Sequence, residues 1–147
     1  VTKGDHLFKN ISSELMKKKP SIKIYGNNYN TKDGTAIRDY IHVSDLADIH
    51  KKVLTNIAKT LKSNIINCGY GKGISVNEVA REFQKQSIKK INVKFQSRRP
   101  GDMEMIVSNN KKLQSNIKWK PKFNSLSFIV RSCIKWELIC LKKNFKN

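Results

Sequence analysis

The chain has 147 residues, enough for one ordinary domain, and 38% of them are hydrophobic, so a core is available but not a rich one. Thirty Lys and Arg against 11 Asp and Glu give a formal net charge of +19, which invites a nucleic-acid reading because clustered basic side chains release counterions from phosphates. The distribution argues against that class: 25 of the 30 are Lys, scattered from Lys3 to Lys146, and Lys, Asn and Ile, which share A- and T-rich codons, together fill 57 positions.

Residues 5–19 carry Leu7, Phe8, Ile11, Leu15 and Met16 near helical spacing, and Pro20 stops that helix. Ser21 to Tyr25 alternates as a strand. Residues 26–35, dense in Gly, Asn and Asp, form a long loop. Ile37 to Val43 is a short extended piece, and Ser44 and Asp45 are helix-start residues. Leu46, Ile49, Val53 and Ile57 then recur as on an amphipathic helix. Asn64 to Cys68 reads as a buried strand, with Gly69, Gly71 and Gly73 in the following turn. Ser75 and Glu78 match a capping box, opening a helix with Val76, Val79, Ala80 and Phe83 on one face. Residues 91–96 alternate as a strand and 97–102 form a loop. A short helix over 109–116 and the segment Trp119-Lys120-Pro121 lead to a last helix from about Ser125. The expected class is α/β, small mixed sheets plus helices, with no train of β-α-β units long enough for a dinucleotide-binding domain.

Cys68, Cys133 and Cys140 show no C-x-x-C spacing, so neither a disulfide framework nor a thiolate metal site is expected, and Cys133 and Cys140 share one face of the last helix as small thiols. No run reaches the roughly 18 apolar residues of a membrane span, and the polar start is unlike a signal peptide. A reducing cytoplasm is the expected compartment. The opening Val is what an internal fragment or an unusual start would show.

Chemistry has few places to sit. Gly69-Tyr70-Gly71-Lys72-Gly73 lies between strand and helix, but it has Ile74 where a dinucleotide fingerprint wants Gly, so a tight turn is expected rather than a phosphate cradle. His42, in an apolar stretch, is expected in the core. Asp45, Asp48 and His50 lack metal-ligand geometry, since Asp45 belongs to a helix cap and Asp48 is off the face of His50. None of Tyr25, Tyr29, Tyr40 and Tyr70 has Lys four residues on. Three of the five Arg residues fall in two segments, Asp33 to Val43 and Ser97 to Asp102. Arg grips two phosphate oxygens at once where Lys offers a point charge, and the carboxylate of Asp102 can accept both hydroxyls of a ribose. Local ion pairs, Arg38 with Asp39 and Arg99 with Asp102, account for the same residues equally well.

Residues 24–48, from Ile24-Tyr25-Gly26-Asn27-Asn28-Tyr29 through Asp33-Gly34-Thr35-Ala36-Ile37-Arg38-Asp39-Tyr40-Ile41-His42-Val43, resemble the UDP-glucose 4-epimerase family almost position by position. His6-Leu7, Asn67-Cys68-Gly69, Arg98-Arg99-Pro100-Gly101-Asp102 and Trp119-Lys120-Pro121 follow the same order, so the likeness covers essentially the whole chain. Related sugar-nucleotide dehydratases and decarboxylases share the Arg-Asp-Tyr-Ile-His-Val type of segment but usually lack the Tyr-x-Thr-x-Asp-Gly-Thr loop.

The resemblance implies that residues 1–147 are the carboxy-terminal, UDP-sugar-binding region of an extended short-chain dehydrogenase/reductase, with the NAD-binding Rossmann domain largely missing. It implies that Lys23, Ile24 and Tyr25 lie along the uracil, that His6 and Leu7 also line the nucleotide, that Arg38 and Arg99 hold the diphosphate, and that Asp102, after Pro100 and Gly101, bonds the ribose. The family moves a hydride from sugar C4 to NAD and back to the other face, with a Tyr-x-x-x-Lys pair as base, so this chain is not expected to act alone. UDP-glucose and UDP-galactose are the implied ligands, and a separate amino-terminal half or a second copy the implied protein partner. A remnant without activity and a basic nucleic-acid module are the alternatives. Lys9, where the family usually has Pro, Ser108, where Asp is common, and Tyr70, where a small residue is common, depart from the pattern.

Overall fold

The computed structural model describes residues 6–60 and 65–143. In chain order its elements are α1 (Leu7–Leu15), β1 (Ser21–Tyr25), β2 (Ile37–Arg38), α2 (Val43–Thr60), β3 (Ile74–Ser75), α3 (Val76–Gln86), β4 (Asn92–Gln96), β5 (Met105–Ile106), α4 (Lys111–Ile117) and α5 (Leu126–Lys142). The described residues fall into two compact units, one of residues 6–36, 75–104 and 125–143, the other of residues 37–60, 65–74 and 105–124.

The first unit holds α1, β1, α3, β4 and α5. Strand β1 buries Ile22 and Ile24 and exposes Lys23, as a period of two requires. It pairs in parallel with β4, from Ser21 opposite Asn92 to Tyr25 opposite Gln96. Three helices supply most of the rest of the core: Ile11 and Leu15 from α1, Val79, Ala80 and Phe83 from α3, and Ile129, Val130 and Cys140 from α5. The Phe8 and Phe83 rings meet at 5.7 Å. Helix α3 starts as its sequence dictates: the Ser75 hydroxyl accepts the Glu78 N–H at 3.0 Å, and the Ser75 N–H donates to the Glu78 carboxylate at 2.8 Å. Helix α1 ends five residues before Pro20, and the Lys89 ammonium donates to the carbonyls of Leu15 and Lys17 that the end leaves unpaired. The departure at Lys9 has a partner here. Its ammonium donates to Glu137 at 2.7 Å, and the Glu137 side chain, only 6% exposed, would otherwise be a buried charge without a counterion.

The second unit holds α2, α4 and a three-stranded sheet in the order β3-β2-β5, with β2 parallel to β5. Its core is Ile49, Leu113 and Trp119, flanked by Ile41, Val53, Ile66, Cys68, Tyr70 and Ile117. His42 is buried, as expected, and its ring Nδ1 accepts the Ser44 N–H at 3.1 Å in the manner of a helix cap.

Three expectations need correction. Residues 65–68 form no strand: Ile65 is 86% exposed, and Asn67 reaches across to the Asn109 carbonyl instead (Asn64 lies outside the described residues). Only Ile37 and Arg38 of the extended piece pair as strand, because α2 already begins at Val43. Asp45 is not a cap. It is fully buried, and its carboxylate takes the Tyr70 hydroxyl at 2.7 Å and the N–H groups of Lys122 and Phe123 at 3.1 and 2.9 Å. Cys140 is buried on α5 and Cys133 only partly. Among the described residues no helix is long and apolar enough to cross a membrane.

Candidate functional site

The loop after β1 is held by its own polar side chains. Tyr29 N–H donates to the Gly34 carbonyl and Gly34 N–H to that of Thr31, closing the loop on itself. The Thr31 hydroxyl donates to the Thr35 carbonyl at 2.8 Å. Asp33 accepts the Thr35 N–H and hydroxyl on one oxygen and the Ser75 hydroxyl on the other, and the fully buried Thr35 hydroxyl accepts the Asn77 N–H. Thr31 therefore closes the loop on itself, and Asp33 and Thr35 fasten it to the start of α3. They are scaffold.

The exposed chemistry of this unit lies where β4 ends. Arg99, Pro100, Gly101 and Asp102 form a tight turn, with the Asp102 N–H donating to the Arg99 carbonyl at 3.2 Å. Gly101 has φ +79°, which the third position of a Pro-Gly type II turn requires. All four residues are exposed. The Arg99 guanidinium lies 3.9 Å over the Tyr25 ring at the end of β1, close enough for cation–π attraction. One corner thus brings a guanidinium, an aromatic ring and a carboxylate together on exposed residues.

In the second unit Arg38 donates to its own residue neighbour, the Ile37 carbonyl, at 2.8 Å. Burial pushes the nearby Tyr40 hydroxyl up to about 12, against the opposing charge of Arg38. Asp39 is occupied otherwise than by a local ion pair: its carboxylate accepts the N–H groups of Tyr70, Gly71 and Ser108 at 3.1, 2.9 and 3.3 Å. The departure at Ser108 sits in this network. Two amides of the Gly69–Gly73 loop, those of Tyr70 and Gly71, are thereby spent on a carboxylate, which would also repel a pyrophosphate. The loop is a turn, with Gly71 at φ +68°, and it does not fit a dinucleotide. Among the described residues no cluster of His, Cys, Asp and Glu could hold a metal ion.

Residues 5–131 match the family model described as GDP-mannose 4,6 dehydratase. The chain belongs to that family. Within it, the chain is 42% identical over 132 residues to the UDP-glucose 4-epimerase of Azospirillum brasilense, covering 90% of this chain and 38% of that one. It is 44% identical over 109 residues to UDP-glucose 4-epimerase 1 of Oryza sativa subsp. japonica, covering 72% and 31%. Among solved structures, the UDP-glucose-4-epimerase of Stenotrophomonas maltophila, with bound NAD and formylated UDP-arabinopyranose, superimposes with a TM-score of 0.90 at 26% identity over 97% of this chain and 42% of that one. The UDP-Glc/GlcNAc 4-epimerase of Campylobacter jejuni does so with a TM-score of 0.83 at 36% identity over 95% and 42%. The chain spans about 38% of the length of the Azospirillum relative.

Against the residues expected from the family resemblance, the first unit brings Tyr25 and Arg99 together and sets Pro100, Gly101 and Asp102 in the same turn. Lys23 is exposed and Ile24 buried on the strand that ends at Tyr25. His6 is exposed and precedes α1, whose first residue, Leu7, is partly buried. Arg38 belongs to the other unit. Arg98, for which no role is expected above, lies 4.0 Å over the Tyr29 ring. Its signal was available: an Arg beside Arg99, and a second Tyr four residues after Tyr25 to receive it.

Proposed function

We propose that this chain is the UDP-sugar-binding portion of a UDP-glucose 4-epimerase, a cytoplasmic enzyme that interconverts UDP-glucose and UDP-galactose with NAD as cofactor. The observation that supports the reading most is the exposed corner where the Arg99 guanidinium lies 3.9 Å over Tyr25 beside the turn that ends at Asp102. In this reading Arg99 grips the diphosphate through two parallel N–H donors. Asp102 accepts the ribose hydroxyls. The backbone of Lys23, Ile24 and Tyr25 runs along the uracil, with His6 and Leu7 also against the nucleotide. Pro100 and Gly101 keep the backbone stiff and bare at the point of contact. The family resemblance also implies a diphosphate contact for Arg38. Hydride transfer belongs to a NAD cradle and a Tyr-x-x-x-Lys pair, neither of which this sequence contains, so the chain binds and orients the substrate without carrying out the reaction.

Isothermal calorimetry with UDP tests this. Arg99→Ala or Arg38→Ala should each weaken binding by about tenfold or more, as expected for loss of a charge-assisted, bidentate contact. UDP binding that survives both changes unaltered would refute the assignment.

A further inference from the structure

We propose that Arg98 is a positioning residue that aims Arg99, an inference that rests on the function proposed above. Arg98 and Arg99 follow β4 side by side and both are exposed, yet they do different things. The Arg98 Nε donates to the Asn28 side-chain oxygen at 2.7 Å, and a terminal nitrogen donates to the Asn28 carbonyl. Its guanidinium lies 4.0 Å over the Tyr29 ring. Both anchors belong to the loop that Asp33 and Thr35 fasten to α3, so Arg98 is tied to a rigid support.

Gly26 makes the crossing possible. It stands at φ +81°, and a Cβ there would run into the Tyr29 ring and come within 3.0 Å of Arg98 Cγ. The Gly26 N–H continues the ladder to the Gln96 carbonyl at 2.9 Å, so the segments leaving β1 and β4 travel together. Arg98 laces across them and Arg99, the next residue, is left over Tyr25. With two of its nitrogens on Asn28 and its face on Tyr29, Arg98 holds the segment rather than the ligand. A Lys in its place keeps the charge but has neither the planar fork for Asn28 nor the flat face for Tyr29. Arg99 would then follow a backbone that has lost this anchor, and an interaction that depends on aim loses most when its geometry loosens.

The test measures UDP and uridine binding by calorimetry on the whole chain and its Arg98→Ala, Arg98→Lys and Asn28→Ala variants. The Arg98 variants should weaken UDP by about tenfold while changing uridine by less than about twofold, because only the diphosphate depends on Arg99. Asn28→Ala should move UDP in the same direction by less, and it carries the test if the Arg98 variants fail to fold. Equal losses for UDP and uridine, or Arg98→Lys binding UDP as the original does, would overturn the proposal. Unaltered UDP binding in Arg99→Ala would instead overturn the proposed function. If the unsubstituted chain binds no UDP, the side-chain proton resonances of Arg99 decide: the ring current of Tyr25 should shift them upfield, and Arg98→Ala should abolish the shift. An unchanged shift overturns the proposal.

Discussion

Asp33 accepts three hydrogen bonds in a loop of Gly, Asn and Thr: from the Thr35 N–H at 3.0 Å, the Thr35 hydroxyl at 2.7 Å and the Ser75 hydroxyl at 2.6 Å. Burial alone would raise its pKa. The bonds from Ser75 and Thr35, with the positive charge of Arg81, outweigh burial and hold it below its ordinary 3.8. A carboxyl whose folded pKa is depressed stabilises the fold fully above its unfolded value, and that contribution is lost as pH falls through the folded value. Asp33→Asn should therefore destabilise the chain near neutral pH by about 1–3 kcal/mol, the cost of weakening these part-buried hydrogen bonds. It should also flatten the loss of melting temperature on acidification below 3.8. Thermal melts at stepped pH check both, and parallel acid limbs for the two proteins would count against this role.

Helix α2 is fixed at its start by residues far along the chain. Tyr70 donates its hydroxyl to Asp45 and accepts the His42 N–H at 3.1 Å, while its ring stacks on Trp119 at 6.2 Å. Burial, followed by the bond to Asp45, pushes the phenol well above its usual range. Tyr70→Phe keeps the stack and removes only the hydroxyl, so a loss of about 1–3 kcal/mol isolates that group. Urea midpoints measured at unchanged slope provide the test, and equal midpoints would show that Asp45 does without it. The same contacts explain what could be read in advance. The alternation of β1, the Gly and Asn density of residues 26–35, the Ser75–Glu78 cap and the start of α5 are each signalled by residues close together in sequence, and all were legible. Asp45 looked like a cap because its partners stand 25 and 77 residues away. Strand β5 has two exposed residues and no periodicity to betray it. The apolar run at Ile65 and Ile66 suggested a strand, but hydrophobicity alone cannot say whether another strand will pair with it. In the candidate corner, the Arg and Asp chemistry was visible as residue types. The stack of Arg99 on Tyr25 was not, because it depends on the parallel register of β1 and β4.

For the molecule as a whole, the family assignment and the chain's share of its relatives point the same way. The motifs that make the relatives recognisable lie on scaffold loops as well as on the exposed corner, so likeness in sequence alone does not measure binding. The charge of +19 favours any polyanion and is screened by salt, so the function proposed above assigns specificity to the named turn. Backbone amide resonances of the 15N-labelled chain, followed while UDP is added at physiological salt, separate these contributions directly. The account predicts saturable shifts centred on Tyr25, Arg99, Gly101 and Asp102, with the Tyr70 and Gly71 amides unmoved because Asp39 already holds them. Shifts centred on Gly69 to Gly73, or spread evenly over lysines with no saturation, would contradict it.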